Sequence, residues 1–470
     1  MTAIDHSFAP DRPSGGFLAR LFGWPRRGAA ERRAIPVQPP LLLEEAAQPG
    51  FHRSEPEAGD EAPRPLAMGM MAVPLRPISL RRDSIYNAFN TAMPVTDRHG
   101  LTGRNQELER LVEAIVVQRR HAIIFGTRGS GKTSLARVFG DLADEAGCVA
   151  LYGSASGDSD FDSLFRPFLA ELPMSAAGKD RIKALADSPL DVARLASLLV
   201  EEVRQRSILI IDEYDRLLSE ATKQEVATLL KLLTDIHSPV QVVLVGIAGD
   251  VDGLIAAHPS LRRHLAPQRV SPIPKPELER LLLSCGENAG LAIDPDALDA
   301  LAGAAMGSPY HARLFGMQAA LVAEAAGRDR LTAGDAERGL TSALEDWAEM
   351  SVATHAWFAR LLADADADRR MVALAGIVAS QMSAVSVDRL ALAATEIWDE
   401  ASSLEERARN AIARLQPVLV ATPAGDHWMF EDTLAPQFLL LMAKRPARSV
   451  APAPTPAAEM RAMMRGVDGL

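Results

Sequence analysis

Two textures of apolar spacing alternate between about residues 84 and 275. Short, nearly continuous apolar runs lie at His121–Phe125, Cys148–Tyr152, Ser207–Ile211, Val240–Val245 and Gln268–Ser271. Between them, as at Ser134–Ala146 and Gln224–Ile236, apolar residues recur every three or four positions. Continuous runs suit strands covered on both faces, and the longer spacing suits amphipathic helices. Their alternation predicts an α/β core of parallel βαβ units. Beyond Pro276 the strand texture stops. Glu277–Ala289, Pro295–Ala305 and Tyr310–Ala326 read as helices punctuated by Gly290, Gly307 and Gly327.

A third texture follows. Arg370–Gln381, Val387–Ile397 and Ser403–Leu415 read as helices, and Val418–Thr422 and His427–Phe430 as a hairpin turning at Pro423-Ala424-Gly425-Asp426. Three helices and a hairpin give the outline of a winged helix. Recurrent prolines and scarce periodicity up to residue 82 predict a disordered start, and the Pro/Ala-rich end predicts a tail. The expected division is therefore 1–82, 83–275, 276–345, 346–445 and 446–470. One apolar island, Phe17–Trp24 followed by Pro25-Arg26-Arg27, reads either as a short surface-docking helix or as an isolated patch.

The chain has 470 residues, 48% apolar and 24% charged, which suits two or three globular domains. A net charge of −11 argues against a broad nucleic-acid surface while leaving room for a local basic patch. Cys148 and Cys285 stand far apart in unlike contexts. A disulfide framework is not expected, and a reducing cytoplasm is the natural location. No apolar run reaches the ~18 residues of a spanning helix, and the first residues lack the pattern of a secretory signal.

The chemistry concentrates in Ile123–Arg137. Gly126, Gly131, Lys132 and Thr133 fit G-x-x-x-x-G-K-[ST], between a strand and a helix as that motif requires. Such a loop, Gly126-Thr127-Arg128-Gly129-Ser130-Gly131, can turn its N–H groups onto a polyphosphate, aided by the positive end of the helix that carries Ser134. Lys132 is expected to reach the β- and γ-phosphates, and Thr133 to hold Mg²⁺. About 80 residues on, Ile208–Ile211 delivers Asp212 and Glu213 at a strand's C-terminal end, where open α/β sheets bind ligands. Asp212 is expected to hold Mg²⁺, directly or through water, and Glu213 to orient and deprotonate the attacking water. Tyr214-Asp215-Arg216 reads as the cap of the next helix. Triads, metal-ligand clusters, CxxC pairs and an aromatic pore loop are not found, which leaves phosphoryl hydrolysis as the supported chemistry.

With these motifs the chain resembles the AAA+ ATPases, over about residues 95–345, and within them the origin-recognition/initiator-like branch and its bacterial relatives. The resemblance implies ATP and Mg²⁺ as ligands and residues 276–345 as a helical lid. It implies that Gly103 and Arg104, in Leu101–Leu108, line the adenine pocket. It also implies an arginine finger at Arg263, with Arg262 second, acting on a neighbouring subunit, and hence nucleotide-dependent self-association. Arg313, in the segment from Gly307, would reach the γ-phosphate from the lid. Where many members carry a polar residue after the fourth strand, this chain reads Val245-Gly246-Ile247-Ala248-Gly249-Asp250, which implies slow turnover.

Two readings of the C-terminal unit stay open. In one, the winged helix reads DNA through Arg407, Arg409 and Arg414, as in initiators. In the other, it docks protein, as in STAND-like regulatory switches. Residues 370–448 hold eight Lys/Arg and nine Asp/Glu, a balance that suits docking as readily as DNA.

Overall fold

The structure, a computed structural model, describes residues 80–91, 101–186, 188–246, 262–398, 403–422 and 425–445. Phe17–Trp24 and the rest of the chain to residue 79, Ile247–Asp250, His258–Leu261, Pro423-Ala424 and the tail from 446 lie outside these residues.

The first helix, α1 (Leu80–Ala88), starts within the stretch expected to be disordered. Its sequence is polar, yet Ile85 and Phe89 are fully buried among helices from the far half of the chain, and that burial anchors it. Next come α2 (Asn105–Leu111), β1 (His121–Gly126), α3 (Lys132–Glu145), β2 (Val149–Ser154), α4 (Phe161–Leu169), α5 (Ala176–Ala184), α6 (Val192–Glu201) and β3 (Ser207–Asp212). α7 (Glu220–Asp235), β4 (Val240–Gly246) and β5 (Leu265–Val270) complete the α/β part. All five strands run parallel in the order β2-β3-β4-β1-β5. Consecutive residues of the central strands enter opposite cores. Ile123, Leu209, Ile211, Val242 and Leu244 face one; Ala122, Ile124, Ile208, Ile210, Val243 and Val245 face the other.

The edge strands depart most from expectation. β5 begins three residues early and includes Pro267. An edge strand tolerates a residue without N–H because one side of it has no ladder to complete. β2, at the other edge, is only partly buried.

His121 ties the sheet to α7. Its Nε2 lies 2.9 Å from Leu230 O, and its Nδ1 accepts the Val242 N–H at 2.9 Å. A ring that accepts at Nδ1 and donates at Nε2 is neutral, and burial pulls its pKa down to about 4.

The remainder is almost entirely helical. It runs α8 (Lys275–Asn288), β6 (Ala292–Ile293), α9 (Pro295–Ala305), α10 (Pro309–Ala325), β7 (Arg330–Leu331) and α11 (Ala333–Met350). α11 passes through the boundary drawn at 345/346. Then follow α12 (Val352–Ala363), α13 (Arg369–Met382), α14 (Val387–Ile397), α15 (Leu404–Leu415), β8 (Leu419–Ala421), β9 (Trp428–Phe430) and α16 (Ala435–Lys444). β8 and β9 are antiparallel, and Val385, between α13 and α14, exchanges two 2.8 Å backbone hydrogen bonds with Trp428. One continuous hydrophobic core joins α1 and α8–α16. Trp347 of α11 stacks on Phe438 of α16 with ring centroids 4.7 Å apart, and Phe438 also meets Phe315 and His311 of α10. Among the described residues, no helix is long and apolar enough to cross a membrane.

Candidate functional site

The loop from β1 to α3 holds its shape through glycines. Gly129 and Gly131 have φ of +73° and +92°, a left-handed backbone that a side chain disfavours. A Cβ at Gly126 would come within 2.5 Å of Val270 O, so β5 packs too closely there for anything but glycine. Arg104 braces the loop from outside. Its buried guanidinium donates to Ser130 O and to Glu107 Oε1, both at 2.9 Å.

Above the loop lies a cavity of about 360 Å³, within the range of small-molecule sites. Arg104, Arg128, Gly129, Ser130, Gly131, Lys132, Thr133 and Ser134 line it from the loop and its flanks. Asp212, Glu213, Asp215 and Arg216 form the wall after β3; Pro309, Tyr310 and Arg313 form the wall from α10. Leu101, Ile273 and Leu281 add apolar surface to the lining, and Asn90 and Thr91 add polar groups. Thus Lys132, Thr133, Asp212, Glu213 and Arg313, scattered over about 180 residues of sequence, share one space.

Other expected residues stand elsewhere. Gly103 does not line the cavity; its Cα points at the Glu277 side chain of α8, which a Cβ would meet at 3.3 Å. Gly126 lies beneath the loop, and Thr127 lines a separate cavity of about 30 Å³. Arg262 and Arg263 are exposed, just before β5. Leu265 pairs with His121 at the N-terminal end of β1, so both arginines sit at the end of the sheet away from the phosphate loop.

Lys132 is buried, and its Nζ donates to Thr127 O at 2.8 Å. Burial lowers its pKa to about 8; Asp215 and Asp212 oppose that shift, and Arg128 adds to it. A polyanion in the cavity would favour the ammonium and raise this pKa again. The free protein therefore loses a proton above pH 8 that the complex keeps. Affinity for such a polyanion should fall roughly tenfold per pH unit from pH 8 upward, and vary little through this group below it. Calorimetry in buffers of unlike ionisation enthalpy should detect proton uptake at pH 9 and little at pH 7.

Asp212 Oδ1 accepts the Glu213 N–H at 2.8 Å. Glu213 has φ +54° and ψ +30°, a left-handed conformation that is uncommon for a residue with a Cβ. Both its carboxylate oxygens are engaged: Oε1 lies 3.2 Å from Arg216, and Oε2 accepts the Ser154 hydroxyl at 3.4 Å. Gly246, at the end of β4, lines the cavity without a side chain to offer.

The lid meets the loop at Ser308. Its hydroxyl donates to Gly129 O at 3.2 Å and caps α10 by accepting the His311 N–H at 3.3 Å. His311, fully buried, keeps its Nδ1 2.9 Å from the same hydroxyl, and burial holds its pKa near 3. Arg313 makes a long 3.5 Å contact with Ala88 O.

The C-terminal helices also reach the loop. Thr127 and Arg128 share the 30 Å³ cavity with Ser308 of the lid and with Ser380, Thr433 and Gln437. Gln381 Nε2 donates to Met306 O at 3.0 Å. The three arginines of α15 each face a carboxylate: Arg407 pairs with Asp368 at 2.7 Å, Arg409 with Glu405 at 2.5 Å, and Arg414 with Asp364.

Sequence reasoning missed Arg216. Tyr214–Arg216 forms one 3₁₀ turn, whereas Ser219 caps α7 by accepting the Thr222 N–H. The turn brings Arg216 back over the carboxylate three residues earlier, a geometry that a helix-cap reading does not suggest. It missed the bracing role of Arg104 for a different reason, because that contact spans 26 residues and has no local signature.

Residues 116–255 match the family model described as AAA domain. No curated protein matches the chain. Among solved structures, the chain is similar to a Walker-type ATPase of Pyrococcus abyssi, at 16% identity over 75% of this chain and 99% of that one, with a TM-score of 0.45. It is similar to the ORC2 protein of Aeropyrum pernix, at 15% identity over 77% and 98%, TM-score 0.45. It is also similar to the ORC1 protein of that organism, solved in complex with DNA, at 19% identity over 74% and 95%, TM-score 0.40.

Proposed function

From the AAA-type P-loop domain that the chain carries at residues 116–255, we propose that the protein is a slow ATPase acting as a conformational switch, whose C-terminal unit docks protein rather than DNA. The observation that carries the nucleotide reading is the convergence of Lys132, Thr133, Asp212, Glu213 and Arg313 on one cavity.

The residues present fit both implied ligands. The left-handed glycines form an open cradle, and the buried Ser130 hydroxyl has no hydrogen-bond partner among the described residues. Thr133 and Asp212 are oxygen donors of the kind Mg²⁺ prefers and would hold it between them. Bound there, the ion would supply charge neutralisation for the phosphate oxygens.

Each residue then has a task. Lys132 exchanges Thr127 O for phosphate oxygen. Glu213 orients a water and takes its proton. Arg313 contributes charge from α10, so nucleotide state and lid position are linked. Arg263 serves the cavity of a neighbouring copy, because its own end of the sheet faces away from the phosphate loop. A β4 end without a polar side chain supports slow turnover.

The paired arginines of α15 favour docking over DNA. Salt-sensitive DNA binding needs cations free to displace counterions from phosphates, and those of α15 already have carboxylates. The Val385–Trp428 exchange beside β8 and β9 supports the winged-helix outline, and the approach of the C-terminal helices to Thr127 and Arg128 supports a regulatory use of it.

ATPase rate measured against protein concentration, with and without duplex DNA, tests both parts. Specific activity should rise with concentration, as a finger supplied in trans requires, and DNA should leave it unchanged. A concentration-independent rate would remove Arg263 from the site. A rate several-fold higher with DNA would replace the docking reading by the initiator one.

A further inference from the structure

The Glu213–Arg216 pair lies on the wall of the cavity, with Glu213 the water-activating carboxylate and Arg216 its ion-pair partner. Arg216 is about half exposed, its guanidinium 3.2 Å from the carboxylate. It lines the same space as Lys132 and Thr133. Glu213 holds this arrangement with a left-handed backbone, and the turn Tyr214–Arg216 closes on it through a 2.9 Å hydrogen bond from Arg216 N to Glu213 O. As it stands, the carboxylate is engaged at both oxygens and poorly placed to accept a proton from water.

We propose that Arg216 is a further phosphate-binding residue, and that a terminal phosphate splits the Glu213–Arg216 pair. The guanidinium passes from carboxylate to phosphate, and Glu213 is left free to face the water.

The direction of the exchange follows from charge. A terminal phosphate carries about two negative charges to the carboxylate's one, and it presents oxygens in the spacing that a guanidinium fork accepts. An exposed ion pair is worth at most about a factor of five in an equilibrium constant, so it is weak enough to be displaced. Among the described residues, the end of β4 brings no polar side chain to the cavity. Gly246 offers no side chain to the cavity, and Arg216 is a cation on the neighbouring strand's exit that can supply the missing contact.

The inference rests on the triphosphate reading of the cleft, and its test is made without hydrolysis. Affinities for ATP and ADP are measured by calorimetry in metal-free buffer with EDTA, for wild type, Arg216→Ala, Glu213→Ala, the double variant and Lys132→Ala. Arg216→Ala should weaken ATP about fivefold and leave ADP within a factor of two. Glu213→Ala should tighten ATP about threefold, because Arg216 no longer has to be released, and that gain should vanish in the double variant.

Equal losses for ATP and ADP, or effects of the two substitutions that simply multiply, would overturn the exchange. Identical ATP binding by wild type and Lys132→Ala would instead overturn the reading of the cleft itself. Thermal unfolding of each ligand-free variant identifies any that are misfolded. Should Arg216→Ala be among them, Arg216→Lys takes its place, with the same preferential loss of ATP over ADP expected from a compact ammonium in place of the fork.

Discussion

Lys132→Ala is expected to weaken Mg·ATP binding about a hundredfold and to abolish measurable turnover at millimolar ATP. The magnitude follows from the bonds lost. A hydrogen bond to a charged group contributes about 1.5–3 kcal/mol, and roughly 3 kcal/mol is a hundredfold in affinity. Lys132 is the buried ammonium of the loop, already poised at 2.8 Å from the Thr127 carbonyl, so its transfer to phosphate exchanges one acceptor for a stronger one. The substitution also strips Thr127 O of that partner, at a cost of about 1 kcal/mol in stability. Calorimetric titration should therefore be accompanied by a melting curve of the ligand-free protein. A folded Lys132→Ala variant that binds ATP as wild type does would remove the phosphate loop from the site.

Glu213→Gln should separate binding from turnover. The amide keeps the size of the carboxylate and its acceptor oxygen, so affinity for ATP should stay within about threefold. It cannot take a proton from water, and loss of a general base typically costs 10²–10⁴ in rate. Single-turnover release of phosphate is the direct measurement, since it does not depend on product dissociation. Equal rates for wild type and Glu213→Gln would show that the water is activated by some other group, with Asp215 on the same wall the next to examine.

The sequence made the middle of the sheet legible and its edges less so. β1, β3 and β4 are buried on both faces, and their apolar runs announce this. β2 and β5 have one neighbour each, and exposure or Pro267 blurs their ends. Within the site, Gly129 and Gly131 were legible because a left-handed turn beside a strand end needs glycine, and the motif spacing pointed to the strand ends whose Lys132 and Asp212 line one cavity. Contacts between distant segments were not. The bond from Arg104 to Ser130 O, the bond from the Ser308 hydroxyl to Gly129 O, and the ion partners of Arg407 and Arg414 depend on how distant elements pack. Helix α1 illustrates the same limit. Its composition gives no hint that Ile85 and Phe89 complete a core whose other residues begin at Ile273, 184 positions beyond Phe89.

That shared core has a mechanical corollary. Because α8–α11 and α12–α16 share one hydrophobic core, the backbone of α10 that carries Arg313 and Tyr310 cannot shift alone; α16, β9 and the helices around them must travel too. The strap joining this half to β5 is Pro272-Ile273-Pro274, stiffened by two rings and fastened by the bond from Ile273 N to Gly307 O. Past the strap the same half returns to the phosphate loop, where Ser380 of α13 and Gln437 of α16 share a cavity with Thr127 and Arg128. A shift of α10 beside the cavity would therefore be felt directly in α13 and α16, with no loop between to absorb it.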